Sequence, residues 1–192
     1  NGDYDYWHID DVCLTPQVSV PSPVIEYRFD ELSWNGTADE VIDSSGNSNN
    51  ATADAASSTT TSSDAVMCQA ASFNGVDQFI TATNLSTLET TSSLSFWIKT
   101  PAGYTGDNTN WSAPGVTGIE ISGATSDIFW GWINGSGNIG ISQGDGVSGL
   151  STTPVNDGNY HHVVLTRDAT TGVVEVYING SLEDTETDTL VA

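Results

Sequence analysis

Three groups of residues in this sequence could do chemistry. The first is the run Asp43-Ser44-Ser45-Gly46-Asn47-Ser48-Asn49, which places a carboxylate, two amides and a flexible glycine in one short stretch. Calcium takes about six to eight oxygens from such groups, so Asp43, Asn47 and Asn49 are candidate ligands. The same run reads equally as an Asx-rich turn that holds no ion. The second group is Trp111, Trp130 and Trp132. An indole pair on an open strand face stacks on the C–H surface of a sugar ring; otherwise large aromatics pack in a core, here beneath the 104–114 loop. Trp97 could face either layer. The third group is acidic and imidazole side chains. Glycoside hydrolysis needs two carboxylates opposed across a cleft. The nearest candidates, Asp30-Glu31 and Glu183-Asp184-Thr185-Glu186, read as solvated turns. His161 and His162 are adjacent on a strand, point to opposite faces and cannot share a metal. The sequence has no GxSxG elbow, since Gly135-Ser136-Gly137 is a hairpin tip, and no phosphate-cradling glycine motif. No catalytic residue is assigned, and the chain does not read as an enzyme.

These residues must be positioned by strands. Apolar residues alternate in short runs separated by Gly, Asn, Asp, Ser and Thr, the pattern of an all-β chain. The expected strands are 6–14, 24–29, 67–73, 78–82, 93–100, 117–122, 127–133, 138–142, 161–167 and 173–178. In the last of these, Val174, Val176 and Ile178 share the core side. Asn74-Gly75, Asn134-Gly135, Asp157-Gly158 and Asn179-Gly180 signal turns. No helical period persists over three turns. The fold class is a two-sheet antiparallel β-sandwich. Residues 44–64 read as a long surface loop with room for one short strand, and the prolines of 16–23 as a stiff connector. The chain then divides into residues 1–15, the connector 16–23 and a domain spanning 24–192.

A chain of 192 residues with a formal net charge of −22 has only Arg28, Lys99 and Arg167 as fixed cations. Nucleic acid and anionic lipid are read by clustered Lys and Arg, so neither is an expected partner. No apolar run reaches membrane-spanning length. Cys13 and Cys68 are an even pair in an extracellular-looking composition, and one disulfide is the simplest expectation; it would contribute about 4 kcal/mol. Two free thiols remain the other reading.

Six segments, in order, carry a resemblance. They are Glu26-Tyr27-Arg28-Phe29-Asp30-Glu31, Val41-Ile42-Asp43-Ser44-Ser45-Gly46-Asn47 and Ala71-Ser72-Phe73-Asn74-Gly75-Val76-Asp77-Gln78-Phe79-Ile80, followed by Leu94-Ser95-Phe96-Trp97-Ile98-Lys99-Thr100, Tyr160-His161-His162-Val163-Val164-Leu165-Thr166-Arg167 and Val174-Glu175-Val176-Tyr177-Ile178-Asn179-Gly180. Over residues 24–181 the chain resembles the laminin-G-like (concanavalin-A-like) jelly roll. With Phe129-Trp130-Gly131-Trp132 it looks most like the module of mannose-sensitive haemagglutinin pilus biogenesis proteins and related marine bacterial surface proteins. The resemblance implies an extracellular or cell-surface sandwich of an adhesin or pilus-associated protein, in contact with a glycan or surface protein, sometimes with a structural calcium. In that family the Asp43 loop lies by a closing strand whose acid adds a ligand, a part that Asp10 or Asp11 would take here. Two departures stand out. The closing Gly-x-Ile-Asp-x-Val strand is not reached before Ala192, while His8-Ile9-Asp10-Asp11-Val12-Cys13-Leu14 has that pattern at the other end. Residues 1–15 are then either the last strand of a preceding domain or a donor strand that completes a sandwich, in the same chain or in the next copy. Donation between copies would give head-to-tail self-assembly into a filament.

Overall fold

The structure is a computed structural model describing residues 21–54, 60–83, 85–119, 127–144 and 148–187. The expected strand at 6–14, most of the proline connector, Asp10, Asp11 and Cys13 lie outside the described residues. Among the described residues there are twelve strands and one short 3₁₀ helix, and every strand pairing is antiparallel. Two four-stranded sheets form the body. One runs in the order β12 (Ser181–Thr187), β11 (Val173–Ile178), β10 (Tyr160–Arg167), β5 (Ser92–Lys99). The other runs β6 (Thr117–Ile119), β7 (Ile128–Ile133), β8 (Asn138–Gln143), β9 (Ser148–Pro154). Two small ribbons lie earlier in the chain, β1 (Thr52–Ala53) with β4 (Ile80–Thr81) and β2 (Thr60–Ser62) with β3 (Ala70–Ser72). This is the expected all-β jelly-roll sandwich.

The alternation seen in the sequence sets the packing. In β10 and β11 every second residue is buried, so Val163, Leu165, Val174, Val176 and Ile178 form one face. They meet Ile128, Trp130, Ile133, Ile139 and Ile141 from the second sheet in one cluster. Each fully buried side chain of this kind contributes about 1.5–3 kcal/mol. Arg167, the last core-side residue of β10, is 4% exposed. Its guanidinium donates to the Gln143 Oε1 at 3.0 Å and to the carbonyls of Glu89 and Thr90 at 2.7 and 3.4 Å. A second cluster gathers Trp34, Val41, Ala51 and Ala53.

β9 and β12 go beyond the strands expected, and the 44–64 stretch, which had room for one short strand, holds both β1 and β2. Their sequences are dominated by Ser, Thr, Gly and acids, which carry little hydrophobic period. Conversely, the expected strand at 24–29 reduces to one bridge, Tyr27 with Asp43. The acids of 183–186 are also corrected: they belong to β12 rather than to a solvated turn. A bulge between Val176 and Tyr177 leaves Glu183 as an extra residue, and it reaches the edge of the other sheet. Glu183 Oε2 accepts the backbone N–H groups of Thr152 and Thr153, both at 2.8 Å, and its Oε1 accepts the Thr153 hydroxyl at 2.6 Å. Asp184 Oδ2 accepts the Leu150 N–H at 2.8 Å. Two carboxylates thus serve as the hydrogen-bond partners of an edge strand, and they join the sheets along one side of the sandwich.

Burial alone would raise the Glu183 pKa, but the hydrogen bonds from Thr153 and Thr152 outweigh it and hold the carboxyl below its usual range. A pKa depressed by folding means the stabilisation is complete above the unfolded glutamate value, about 4.3, and is lost as pH falls through the folded one. Glu183→Gln is therefore expected to lower stability by about 1–2 kcal/mol at pH 7. Urea unfolding at pH 7 and at pH 3 checks this: the gap between wild type and variant closes in acid. A constant gap would mean the carboxylate charge plays no part.

Candidate functional site

The Asp43 loop is built around its carboxylate. Asp43 is 7% exposed, and its Oδ1 accepts the N–H groups of Glu26 and Ser45, both at 2.9 Å. Its Oδ2 accepts the Ser45 hydroxyl at 2.8 Å and the Asn49 N–H at 2.9 Å. Burial pushes the pKa up, but those backbone and hydroxyl donors overcome it and hold it at about 2. Asn47 turns its Nδ2 to the carbonyls of Pro23 and Val24, each at 3.1 Å, and Asn49 Nδ2 donates to the Val24 carbonyl at 2.9 Å. Calcium requires converging oxygens. Here the acid is ringed by donors and the two amides present hydrogens to the nearby carbonyls, so the arrangement does not fit a calcium ion and does fit the ion-free Asx-rich turn. Among the described residues no group of three or more His, Cys, Asp or Glu could hold a metal. Asp10 and Asp11 lie outside the described residues.

The three tryptophans separate. Trp111 is 65% exposed. It rides on the segment between β5 and β6, which the buried Asn110 pins by donating to the Ser142 hydroxyl at 2.9 Å and the Gly144 carbonyl at 2.7 Å. Trp130 is 0% and Trp132 4% exposed, so the expectation of an open sugar-stacking pair is corrected. Nor do the two share a face. The register shifts between Trp130 and Trp132, so that Trp130 pairs with Ile141 and Trp132 with its neighbour Gly140. Gly131, at φ 75°, is the extra residue; a side chain there would strain the backbone and strike Val116. Trp130 therefore enters the intersheet core. Trp132 turns to the side that carries Ser142, where Asn110 is bonded. The packing alternative is the one realised.

A different aromatic group comes together on the outer face of the β12–β11–β10–β5 sheet. Trp97 is 52% exposed and stands beside His162, its cross-strand partner, with ring centroids 5.1 Å apart and a 37° tilt. His162 Nε2 is 2.9 Å from the Ser95 hydroxyl, which fixes the ring. One step along, Lys99 Nζ lies 5.4 Å from the Tyr160 ring centroid and 2.6 Å from Asp64 Oδ2, while the Tyr160 hydroxyl donates to the Asp64 carbonyl. In the other direction Tyr177 pairs with Val164, and its hydroxyl donates to Glu175 Oε2 at 2.9 Å. Beyond these, an open depression is lined by Ser93, Thr166, Thr171, Asp168 and Glu175 among others. The alternation of β5 is the available signal: Leu94, Phe96 and Ile98 take the core side, which sends Trp97 outward.

His161 and His162 take opposite faces, as expected. His161 is buried, with Nε2 3.0 Å from Asp157 Oδ1. Cys68 is exposed and free among the described residues, and its expected partner Cys13 lies outside them.

Residues 74–191 match the profile of the concanavalin A-like lectin/glucanases superfamily. The chain belongs to that superfamily. The match covers both large sheets and the Trp97 face, and it starts after the Asp43 loop. No curated protein and no solved structure matches the chain. Superfamily membership accounts for the antiparallel sandwich; the residues that meet a ligand must be argued from this chain's own surface.

If Asp43 is a hydrogen-bond hub rather than a calcium ligand, Asp43→Ala leaves the buried N–H groups of the loop unpaired and costs about 2–3 kcal/mol. Because folding depresses the Asp43 pKa, its stabilisation is complete above the unfolded aspartate value, about 3.9, and is lost as pH falls toward 2. Thermal melts with EDTA and with millimolar calcium are expected to coincide at pH 7, with the variant lower in both. A calcium-dependent rise in the wild-type melt that Asp43→Ala removes would refute the hub.

Proposed function

We propose that this domain is a non-catalytic, extracellular recognition module of an adhesin or pilus-associated surface protein, and that it meets a glycan or a surface protein through the Trp111 loop. The observation that carries the reading is Trp111 itself: a large aromatic, 65% exposed, on a segment anchored from below by buried Asn110. A rigidly held aromatic supplies contact area at little ordering cost. The superfamily match supports a binding module, and laminin-G-like domains are typically extracellular. Glu183, Asp184 and Asp43 are each engaged by backbone N–H groups, which supports a structural rather than an acid–base use of these carboxylates. Trp111→Ala is expected to weaken binding to a glycan array or to isolated cell surfaces about fivefold to tenfold with an unchanged circular dichroism spectrum. Equal binding by both proteins, or none by the wild type, would defeat the proposal.

A second reading, a filament subunit joined by N-terminal strand donation, draws support from β5. Among the described residues it ends its sheet, keeps eight paired residues with β10 without a register shift, and leaves its core-side Leu94, Phe96 and Ile98 only half-buried. A long, regular edge of this kind accepts an added strand. Deleting residues 1–15 is expected to abolish concentration-dependent polymers seen by electron microscopy. Unchanged polymers, or a wild type that stays monomeric at every concentration, would remove this reading.

A further inference from the structure

We infer that Asn35 is a self-modification site: the loop at 35–40 holds the groups that convert its side-chain amide to a carboxylate with water alone as co-reactant. This does not rest on the recognition reading. The dipeptide Asn-Gly occurs five times, and four of the pairs, at Asn35, Asn74, Asn134 and Asn179, lie among the described residues. In each, the glycine nitrogen is a nucleophile two bonds from any shielding side chain, because glycine has none. What distinguishes Asn35 is the surroundings of the reacting atoms.

Glu40 Oε1 accepts the Gly36 N–H at 2.7 Å, and its Oε2 accepts the Asn35 N–H at 2.8 Å. A carboxylate therefore sits on the proton that the nucleophile must lose. Asn35 Oδ1 accepts the Thr37 N–H at 3.0 Å and the Thr37 hydroxyl at 2.5 Å. Those bonds fold the side-chain carbonyl over the intervening Gly36 amide and place two donors on the oxygen where negative charge develops. The Gly36 nitrogen bonds to Asn35 Cγ as its proton passes to Glu40, and the carbonyl electron pair moves onto Oδ1. The pair returns as the Cγ–Nδ2 bond breaks, the proton leaves with that nitrogen as ammonia, and a cyclic imide remains. Asn35 is exposed, so water reaches the ring and opens it at either carbonyl, leaving aspartate or isoaspartate. The product sets a second negative charge beside Glu40, next to buried Trp34 and Val41.

The other pairs lack this set. Asn179 turns its Oδ1 to the His162 N–H at 2.9 Å, across the strand pair. The Gly135 N–H meets the amide oxygen of Asn108 at 3.1 Å, a far weaker base than a carboxylate. At Asn74 the leaving nitrogen is held by Asp77 Oδ1 at 2.8 Å, and among the described residues no carboxylate accepts the Gly75 N–H.

The experiment ages the whole chain at neutral pH, in native buffer and in denaturing urea. Peptide mapping by mass spectrometry then follows the amide-to-acid mass gain and isoaspartate at each pair. In native buffer Asn35 is expected to react fastest of the four, and in urea the four rates are expected to converge. Glu40→Gln is expected to slow Asn35 about tenfold and leave the other three unchanged, with an unaltered circular dichroism spectrum. Thr37→Val is expected to slow it about threefold through loss of the hydroxyl donor. An Asn35 rate no higher than the others in native buffer, or undiminished in folded Glu40→Gln, overturns the inference. Should Glu40→Gln not fold, the wild type decides: Asn35 reacting faster in native buffer than in urea supports the site, and slower reaction there shows that the loop protects the amide and overturns it.

Discussion

Each strand of this sandwich has two sides, and only one of them can enter the space between the sheets. That constraint organises the molecule. In β5, β10 and β11 it assigns Leu94, Phe96, Val163, Leu165, Val174 and Val176 to the core, and by the same step sends Trp97, His162, Val164 and Tyr177 outward. The aromatic outer face is therefore not an independent feature added to a scaffold. It is the complement of the core, displayed by the strands whose other side holds the fold together.

The two large sheets are joined by apolar packing and, along one side, by ionised groups. Among the described residues β9 sits at the end of its sheet and would otherwise offer unpaired N–H groups to any passing strand. Glu183 and Asp184 occupy those donors. The carboxylates can do so because a bulge displaces one residue of β12 and redirects its side chain. The same device acts in β7, where Gly131 allows two tryptophans, two positions apart, to serve opposite sides of a sheet. At both places an inserted residue does what strict alternation forbids.

Those two bulges also mark how far the fold and the site are legible in the sequence. Alternation alone assigns Val174, Val176 and Ile178 to the core and the two histidines to opposite faces, because period two holds across β10 and β11. The same rule puts Trp130 and Trp132 on one face. It fails there because a bulge shifts the register by one and no residue type announces it: Gly131 is one of 19 glycines in the chain, and nothing local sets it apart. The Asp43 loop is recognisable as a turn rich in oxygens and amides. Whether those groups turn oxygens or hydrogens inward depends on Val24 and Glu26, about twenty residues away, and no local pattern encodes that. β12 escapes detection because Glu, Asp and Thr carry no hydrophobic signal, although they form a strand edge once β11 is in place. Trp97 is legible in principle, since its neighbours at even positions are apolar; the arrangement of His162 and Tyr160 beside it needs the paired strands.

Each of the three permanently positive side chains is engaged within the molecule. Arg28 lies 2.8 Å from Glu26, Lys99 is held by Asp64, and Arg167 is enclosed by Gln143 and two carbonyls. Seen from outside, the domain is therefore a polyanion with no compensating spots. In dilute buffer two copies push each other apart well before their surfaces meet. Molar ionic strength shortens that reach to about 3 Å, so close crowding of these domains meets less repulsion in concentrated salt.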